Sequence, residues 1–498
     1  MRMLRTLSLN ERDQFRKALT GANYTAGGVA NVLGSIEAPA ERNAGFGRML
    51  YLTRDASPLH VFIRLFLNSV PVLLEDIRRA LEPFSPKSLA AMGLVGIEGD
   101  MTVPLVTLMP FEEVYLVFDI PMRIGGGAEP DHVVGISNSA MHVNNCMIRQ
   151  PSRRTLDIGT GSGNLAFSAA SFSQDVYGVD CNPRAVNFAQ FGAWLNGFKH
   201  IRFLQGDAFD PVRGSAFDLV FANLPFVISP TLRYQYRDAG MRADEFSKRI
   251  VQEAPNVLAE GGFAQFLCQW AHIKGEDWQD RLAGWFKRIG CDVLALRLEE
   301  LEASAYAERW IQETEPCCST AATGELFEDW MRYYDSEKIE AVSSGIITMR
   351  RTSKAAHWIR IEEIPRSMSN SWGDALLRRF QLIDFLAANS TERALLMHRL
   401  RAAPDLRLVQ TNAAGDAKWK PLTAEIRLTE GLHYDGNIDP LVANLITLFN
   451  GSRTVAEALD ELGKSTGIAP ERLAGRCLAI LQELISRGFL LPAEESGS

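Results

Sequence analysis

The sequence lacks the long apolar runs that would place the protein in a membrane or send it across one. No stretch reaches the roughly 20 consecutive apolar residues that span a bilayer, because polar residues interrupt even the apolar segment Phe62–Asn68. The segment Met1–Leu19 is broken by the polar run Asn10–Asp13, so it lacks the apolar core of a secretory signal. We therefore predict a cytoplasmic protein with no membrane partner.

Cysteine is scarce, with seven residues in a chain of 498. The cysteines have neither the spacing of a disulfide framework nor that of a zinc site, and the one close pair is the adjacent Cys317–Cys318. Scattered cysteines of this kind are typical of reduced intracellular proteins, in which they pack as small apolar residues. No histidine shows the spacing of a metal ligand or of a catalytic triad, so no metal site is predicted.

An excess of positive charge is also missing. The chain carries 52 Lys and Arg residues against 60 Asp and Glu residues, a net charge of −8. Proteins devoted to duplex nucleic acid usually have a basic field, so a small molecule or a protein is the favoured partner and nucleic acid a less favoured one. The length of 498 residues exceeds one ordinary domain and predicts about two to three compact units.

Changes of pattern along the chain predict three segments. Residues 1–125 begin with helical patterns and end in two strand-like runs, Val103–Met109 and Glu113–Asp119, which fits a winged-helix-like module or an irregular cap. Residues 126–365 alternate strand and helix patterns. Residues 371–498 return mainly to helical patterns and predict a second helical or winged-helix-like module.

The middle segment follows a predicted glycine hinge, Gly125–Gly127, and indicates an α/β fold with a parallel sheet flanked by helices. Its predicted strands are Thr155–Ile158, Asp175–Val179, Ile201–Gln205, Phe217–Ala222, Gly262–Cys268, Cys291–Leu296, Ser344–Arg350 and Trp358–Glu362. Its predicted helices are Leu165–Ala170, Pro183–Asn196, Glu245–Leu258, Ala303–Ile311 and Gly324–Met331.

Residues 156–163, Leu-Asp-Ile-Gly-Thr-Gly-Ser-Gly, form the most informative motif. A strand carrying Asp157 leads into Gly159, Gly161 and Gly163, where missing side chains let the backbone approach a ligand closely. The N–H groups and the dipole of the helix that follows suit a carboxylate, and Asp157 could hold the turn or meet a ligand ammonium. Taken alone, the motif also fits a dinucleotide site.

Polar residues at the next strand ends favour an adenosyl pocket over a dinucleotide site. Asp180 ends the second strand, where a carboxylate binds a ribose. Asp207 and Ala208 follow the third strand, where an acid and a backbone N–H suit an adenine. The predicted cofactor is S-adenosylmethionine. Its predicted binding residues are Asp157, Gly159, Gly161, Gly163, Asn164, Asp180, Asn182, Asp207, Ala208 and Asn223.

The tetrapeptide Asn223-Leu224-Pro225-Phe226 ends the fourth predicted strand. With the glycine motif, it makes residues 130–363 resemble a class I S-adenosylmethionine-dependent methyltransferase with the small methyltransferase domain. By motif the segment is similar to the HemK-like glutamine methyltransferases and to the amino-methylating nucleic-acid enzymes. Those families carry Asn-Pro-Pro-Tyr or Asn-Pro-Pro-Phe here; three positions match and Leu224 departs. The resemblance implies a Rossmann-like sheet.

The resemblance also implies methyl transfer to a planar nitrogen, with Asn223, Leu224, Pro225 and Phe226 as the catalytic residues. Such a nitrogen is a poor nucleophile because its lone pair is delocalised. The Asn223 side-chain oxygen and the Leu224 carbonyl would accept its two hydrogens and aim the lone pair at the methyl group, while Phe226 stacks on the planar group. Leucine at position 224 loses the rigidity of a proline ring, which leaves nitrogen or oxygen open as the acceptor atom.

The methyl acceptor stays open between a protein, a peptide and a small molecule. Three other functions also stay open: an RNA or DNA base N-methyltransferase, an inactive cofactor-binding regulator, and a nicotinamide oxidoreductase. Ser137 and Ser139 are further candidates for cofactor contact, and Tyr236 and Arg237 for a substrate-facing loop. The sequence predicts neither the oligomeric state nor the role of the flanking modules.

Overall fold

The chain forms two compact units in a computed structural model: Met1–Asn144 with Gln150–Glu363, and Asn145–Arg149 with Ile364–Ser498. The structure describes residues 3–34, 42–121, 129–238, 240–315, 319–364, 371–414, 419–467 and 470–493. The predicted hinge Gly125–Gly127 and the Cys317–Cys318 pair lie outside these ranges. The three predicted segments, with boundaries near residues 125 and 371, stay a prediction.

The first part of the larger unit is helical and ends in two small antiparallel sheets. Its helices are α1 (Leu9–Gly21), α2 (Ala26–Leu33), α3 (Arg42–Leu52), α4 (Pro58–Phe62), α5 (Leu74–Leu81) and α6 (Pro86–Ala91), and a π-helical turn, Ile63–Leu67, continues α4. Its strands are β1 (Val72–Leu73), β2 (Val95–Glu98), β3 (Met101–Pro104), β4 (Thr107–Phe111) and β5 (Val114–Phe118). The strands pair in the order β1-β3-β2 and as the hairpin β4-β5.

The prediction of one strand over Val103–Met109 is wrong, because this segment contains the end of β3 and the start of β4, which belong to different sheets. Pro104 is the last residue of β3, as expected for a residue that has no N–H to extend a ladder. From α4 to β3 the order is helix, strand, two helices and hairpin. The winged-helix-like assignment of this module stays a prediction.

The second part of this unit is built on an eight-stranded mixed sheet. Its strands are β6 (Ser152–Ile158), β7 (Ser173–Asp180), β8 (Ile201–Gln205), β9 (Phe217–Asn223), β10 (Leu258–Ile273), β11 (Cys291–Glu302), β12 (Ile339–Arg351) and β13 (Ile359–Glu363). They lie in the order β13-β11-β12-β10-β9-β6-β7-β8. The adjacent strands β10, β9, β6, β7 and β8 are parallel to one another, as predicted. Strand β12 is antiparallel to both β10 and β11. The fold is α/β and Rossmann-like.

Helices connect and flank these strands. They are α7 (Asn138–Cys146), α8 (Asn164–Ala169), α9 (Pro183–Asn196), α10 (Glu245–Glu253), α11 (Trp278–Trp285), α12 (Ala303–Thr314) and α13 (Thr320–Glu337). The predicted helix over Pro183–Asn196 matches α9 and has clear end signals: Asn182 caps it, Pro183 fills its first position, and Gly197 ends it in a left-handed conformation. Helices α12 and α13 are inserted between the antiparallel strands β11 and β12.

Helix α9 also holds the first part of this unit in place. The side-chain amide of Asn187 exchanges two hydrogen bonds with the backbone of Leu4, at 2.7 and 3.0 Å. The amide of Asn196 does the same with the backbone of Tyr115, at 2.8 Å for both bonds. Each asparagine therefore gives a hydrogen-bond partner to one backbone N–H and one backbone carbonyl that packing removes from water.

The second unit combines helices with two small sheets. Its helices are α14 (Gly373–Ala388), α15 (Glu392–Met397), α16 (Pro440–Thr447), α17 (Val455–Thr466) and α18 (Pro470–Ser486). Its strands are β14 (Arg399–Ala402), β15 (Leu406–Ala414), β16 (Trp419–Leu428), β17 (Asp435–Asn437), β18 (Asn450–Thr454) and β19 (Leu490–Pro492). The sheet orders are β18-β14-β19 and β15-β16-β17. Within the described ranges of the chain, no helix is long and apolar enough to cross a membrane.

Candidate active site

The glycine motif forms a turn that only glycine adopts without strain. Gly159, Gly161 and Gly163 have φ angles of +69°, +54° and +88°, in the left-handed region. The Gly159 N–H donates to the Val179 carbonyl at 2.8 Å, which ties the turn to β7. No atom of the described residues lies within 4 Å of the position that a Cβ of Gly161 would take. This turn therefore leaves room for a ligand at the carboxyl end of β6, as in other open α/β sheets.

Asp157 is the buried acid of this site. It is 1% exposed, and its Oδ2 accepts from the Thr160 hydroxyl at 2.7 Å. Its Oδ1 accepts no hydrogen bond from the described residues. Burial raises the pKa of Asp157 to about 8, although the Thr160 hydrogen bond opposes that rise, and the nearby charge of Asp180 adds to it. A cationic ligand group beside Oδ1 would favour the ionised carboxylate.

Asp180 and Asn182 lie at the end of β7, next to the glycine turn. The two Asp180 oxygens accept the backbone N–H groups of Gly161 and Asn182, both at 2.9 Å. Burial raises the pKa of Asp180, and these two N–H groups oppose the rise. Asn182 is used within the protein, because its Oδ1 caps α9 through the Arg184 N–H and its Nδ2 donates to the Asp131 carbonyl, both at 2.9 Å.

Asp207 follows β8, and its carboxylate binds another side chain of the protein. Its carboxylate pairs with the Arg249 guanidinium at 2.6 Å, and its side chain is 57% exposed. Ala208 beside it has a positive φ of +44° and is buried. The roles of Asp207 and Ala208 in adenine binding therefore stay predictions.

Asn223 is the last residue of β9 and lies across from the glycine turn. A Cβ on Gly159 would lie 3.8 Å from the Asn223 carbonyl oxygen. The Asn223 Nδ2 lies 3.5 Å from the Ser137 hydroxyl, whereas its Oδ1 is buried and has no hydrogen-bond partner among the described residues. Leu224 is 4% exposed and packs in the core of the sheet. The structure thus brings together Asp157, the glycine turn, Asp180 and Asn223, as the sequence predicts.

Residues 130–139, which include Ser137, contact the loop that directly follows the tetrapeptide. Ser137, which reaches Asn223, belongs to residues 130–139, and Tyr236 belongs to residues 227–238. The Tyr236 ring lies 6.1 Å from the His132 ring in an edge arrangement, and the Gln235 N–H donates to the Pro130 carbonyl at 3.2 Å. Residues 130–139 therefore contact both Asn223, through Ser137, and the loop over residues 227–238.

The loop over residues 227–238 is fixed by a buried ion pair that the sequence did not reveal. The side chains of Arg237 and Asp238 are 4% and 1% exposed and pair at 2.7 Å. Asp238 also accepts the Ser229 hydroxyl and the N–H groups of Arg233 and Tyr234, at 2.8 to 3.0 Å. Asp238 therefore organises the loop from within, and Arg237 is a structural anchor of it.

The donor set of the site fits the predicted cofactor and a polar acceptor. Three buried polar atoms of the site lack a hydrogen-bond partner within the described ranges: Asp157 Oδ1, Asn164 Nδ2 and Asn223 Oδ1. Because buried polar atoms are nearly always paired, these atoms mark where polar groups of ligands belong. A carboxylate oxygen and an amide N–H suit the ammonium and carboxylate of a methionine group. Among the residues placed by the structure, no three His, Cys, Asp or Glu side chains are grouped so as to hold a metal.

Comparison with known proteins identifies the class of domain that contains the glycine turn and Asn223. Residues 150–280 match the model of a methyltransferase domain. The flanking residues 21–105 and 378–492 match two domains of unknown function, DUF7059 and DUF7782. The methyltransferase match covers β6 to β10 and the glycine turn, together with Asn223.

Curated relatives agree with this class. The chain is 32% identical over 145 residues to the release factor glutamine methyltransferase of Escherichia coli, covering 26% of this chain and 51% of that protein. It is 29% identical over 228 residues to the release factor glutamine methyltransferase of Geobacter sulfurreducens, covering 42% and 75%. It is 32% identical over 141 residues to the ribosomal protein L11 methyltransferase of Thermus thermophilus, covering 27% and 53%.

The fold, the site and the sequence matches define a class I S-adenosylmethionine-dependent methyltransferase domain. Within that class, the domain is similar to the release factor glutamine methyltransferases. The chain spans about half the length of the E. coli and T. thermophilus relatives.

Proposed function

We propose that this protein transfers a methyl group to the side-chain amide nitrogen of a glutamine in a protein or peptide. The observation that carries this proposal is the buried Oδ1 of Asn223, which no described residue pairs with, at the end of β9 and beside the glycine turn. This oxygen can accept one hydrogen of an amide NH₂ group. The named activity of the two release factor relatives supports glutamine as the acceptor class.

In this proposal Asp157 and the glycine turn hold the methionine end of the cofactor, and Asp180 faces its ribose. When bound, S-adenosylmethionine supplies a methyl group on a positively charged sulfur, which leaves with the electron pair of the broken carbon–sulfur bond. The Asn223 Oδ1 and the Leu224 carbonyl accept the two hydrogens of the acceptor nitrogen. This pairing turns the nitrogen lone pair towards the methyl carbon, and the nitrogen loses one proton to water as the new bond forms.

We also propose that residues 126–365 carry out the transfer and that the segments 1–125 and 371–498 serve acceptor recognition or stability. Contacts within the larger unit support a stabilising role for the first segment, since α9 binds its backbone through Asn187 and Asn196. Location in the cytoplasm is part of the proposal and can be checked by cell fractionation.

Replacing Asn223 tests the role of its side-chain oxygen. Asn223→Ala removes the acceptor but leaves the glycine turn, so the affinity for S-adenosylhomocysteine should stay within about threefold. Removing one precisely placed hydrogen-bonding group costs about 10²–10³ in rate in comparable sites, and we expect a loss of that size in methyl transfer. Asn412→Ala, at an exposed position in β15, is the matched control.

The acceptor class is tested with purified protein, radiolabelled S-adenosylmethionine and fractionated cell extract. Label that enters protein and survives ribonuclease treatment supports the proposal. Label that disappears with ribonuclease treatment would instead assign the activity to RNA.

A further inference from the structure

The segment that follows the catalytic motif is held at one residue by two tyrosines. The Ile228 N–H donates to the Tyr306 hydroxyl at 3.2 Å, and the Ile228 carbonyl accepts from the Tyr334 hydroxyl at 2.8 Å. Tyr306 comes from α12 and Tyr334 from α13. Both backbone groups of Ile228, two residues after Phe226, are therefore set by the helical pair inserted between β11 and β12.

Tyr306 also connects this segment to the central sheet. Its hydroxyl donates to the Oε1 of Gln269, a buried residue of β10. Strand β10 pairs with β9 through Leu267 and Asn223, so Gln269 lies two residues beyond the partner of Asn223. The chain from Asn223 to Ile228 is thus closed into a ring by Tyr306, Gln269 and the two strands.

The hydroxyls of Tyr306 and Tyr334 are buried and make hydrogen bonds in addition to filling space. Tyr306 and Tyr334 are 2% and 0% exposed and lie in an apolar cluster with Trp330, Ile228 and Val227. Burial of this kind raises the pKa of both phenols. Phenylalanine would fill the same volume without bringing a polar group out of water, so the hydroxyls matter for the hydrogen bonds that they make.

We propose that Tyr306 and Tyr334 are positioning residues for methyl transfer, and that the α12–α13 pair sets where the motif Asn223–Phe226 presents its acceptor-binding groups. The inference rests on the proposed function, because it deepens the account of the same site. Both tyrosines bind the backbone of Ile228, two residues beyond the motif. Each acts through Ile228, and a displacement of about 1 Å in such a site can reduce the rate about 10²-fold.

The test compares Tyr306→Phe and Tyr334→Phe with Tyr115→Phe in the full-length protein. Tyr115 is the matched control because it is 5% exposed and its hydroxyl donates to the Tyr24 carbonyl at 3.0 Å, in the first part of the unit. Hydrogen exchange followed by mass spectrometry reads the amides of residues 224–230. We expect at least tenfold faster exchange there in Tyr306→Phe, in which the Ile228 N–H loses its acceptor, and a smaller increase in Tyr334→Phe.

Kinetics provide the second measurement. For both variants we expect kcat to fall about tenfold or more, the affinity for S-adenosylhomocysteine to stay within twofold, and the KM for the acceptor to change less than kcat. Tyr115→Phe should match the wild type in all three quantities. A merely structural role for the tyrosines would lower thermal stability without this separation of kcat from cofactor affinity.

The outcomes separate this inference from the proposed function. Wild-type exchange rates over residues 224–230 in both variants would overturn the inference, as would an unchanged kcat in a protein that is active. A wild-type protein that methylates no glutamine acceptor would contradict the proposed acceptor. In that case the exchange rates still decide whether the tyrosines hold the motif.

Discussion

The protonation of Asp157 should make the affinity for the cofactor depend on pH. Its carboxyl is buried and its pKa is raised to about 8, far above the value of about 3.9 for a free aspartate. Near neutral pH the ligand-free site therefore keeps a proton on this carboxyl. A ligand ammonium stabilises the ionised form, so binding at Oδ1 must release that proton.

The affinity for S-adenosylhomocysteine should accordingly rise with pH, by about tenfold between pH 6 and pH 7, because binding releases one proton and the proton concentration falls tenfold over this interval. The gain should level off near pH 8, where Asp157 ionises without a ligand. Titration calorimetry at several pH values measures both the affinity and the proton release.

Asp157→Asn should bind more weakly at pH 8 and lose most of this pH dependence. Asp175→Asn, a change in an acid at the surface of β7 with a side chain 38% exposed, is the control and should behave as the wild type does. An affinity of the wild type that does not change with pH would refute the proposed contact with an ammonium.

Alanine substitutions in the glycine turn distinguish backbone strain at positive φ from steric overlap with a neighbouring side chain. At Gly161 a Cβ meets no described atom within 4 Å, so alanine there carries only the strain of a φ of +54°, about 1–2 kcal/mol. At Gly163 a Cβ would also lie 2.8 Å from the Phe167 ring, and overpacking typically adds about 1–3 kcal/mol. Urea unfolding should therefore show a larger loss for Gly163→Ala than for Gly161→Ala.

Gly27→Ala is the control for these variants. Gly27 lies in α2 with no positive φ, and a Cβ added there would meet no atom of the described residues within 4 Å. Alanine there should leave the free energy of unfolding unchanged or higher. Equal losses at Gly161 and Gly163 would show that Phe167 can move aside.

At the scale of elements, α9 is the helix that connects the first part of the larger unit to the sheet. Asn187 and Asn196 each hold a donor and an acceptor of a distant backbone. Alanine at either position leaves both backbone groups without that partner, and a lost partner costs about 1–3 kcal/mol for a fully buried group. Because these bonds are only partly buried, we expect each variant to lower the free energy of unfolding by about 1–3 kcal/mol for its two bonds together.

Gln190→Ala on the same helix is the comparison, since the Gln190 side chain makes a longer bond of 3.4 Å to the Phe203 carbonyl. It should cost less than either asparagine variant in urea unfolding. Limited proteolysis should cut residues 1–121 faster in Asn187→Ala and Asn196→Ala than in the wild type. Unchanged cleavage in both variants would mean that apolar packing alone holds this part in place.

Helices α12 and α13 show how an insertion can serve a site at a distance. They lie between β11 and β12 in the chain, yet their tyrosines reach the segment after β9. The loop over residues 227–238 gains a second support from Asp238. Both supports act on the same stretch of backbone, and in the proposed function they hold the acceptor side of the site in place before a ligand binds.

At the scale of the whole molecule, the sequence predicts the parts of the site that depend on adjacent residues and on parallel strands. Asp157, the glycine turn, Asp180 and Asn223 meet because β6, β7 and β9 are neighbours whose carboxyl ends share one edge of the sheet. Local motifs and the strand order are sufficient to place them.

Other features depend on tertiary contacts that local patterns do not contain. The bonds from Ile228 to Tyr306 and Tyr334 join residues 78 and 106 positions apart, and a tyrosine in a helix gives no sign of such a partner. Asp207 has a motif-like setting but pairs with Arg249 on α10. Gln269 lies one residue beyond the predicted strand Gly262–Cys268, and nothing in its neighbouring residues indicates a bond to Tyr306.

In the proposed function, this protein methylates an amide nitrogen, and Asn223 accepts a hydrogen from that nitrogen. The most direct measurement incubates wild type and Asn223→Ala with S-adenosylmethionine and a glutamine-containing acceptor from the labelled protein fraction, and locates the methyl group by tandem mass spectrometry. We predict a methyl group on the glutamine side-chain nitrogen with the wild type, and at least a hundredfold less product with a variant that still binds S-adenosylhomocysteine. A methyl group on an oxygen or on a nucleic-acid base, or full activity of Asn223→Ala, would contradict it.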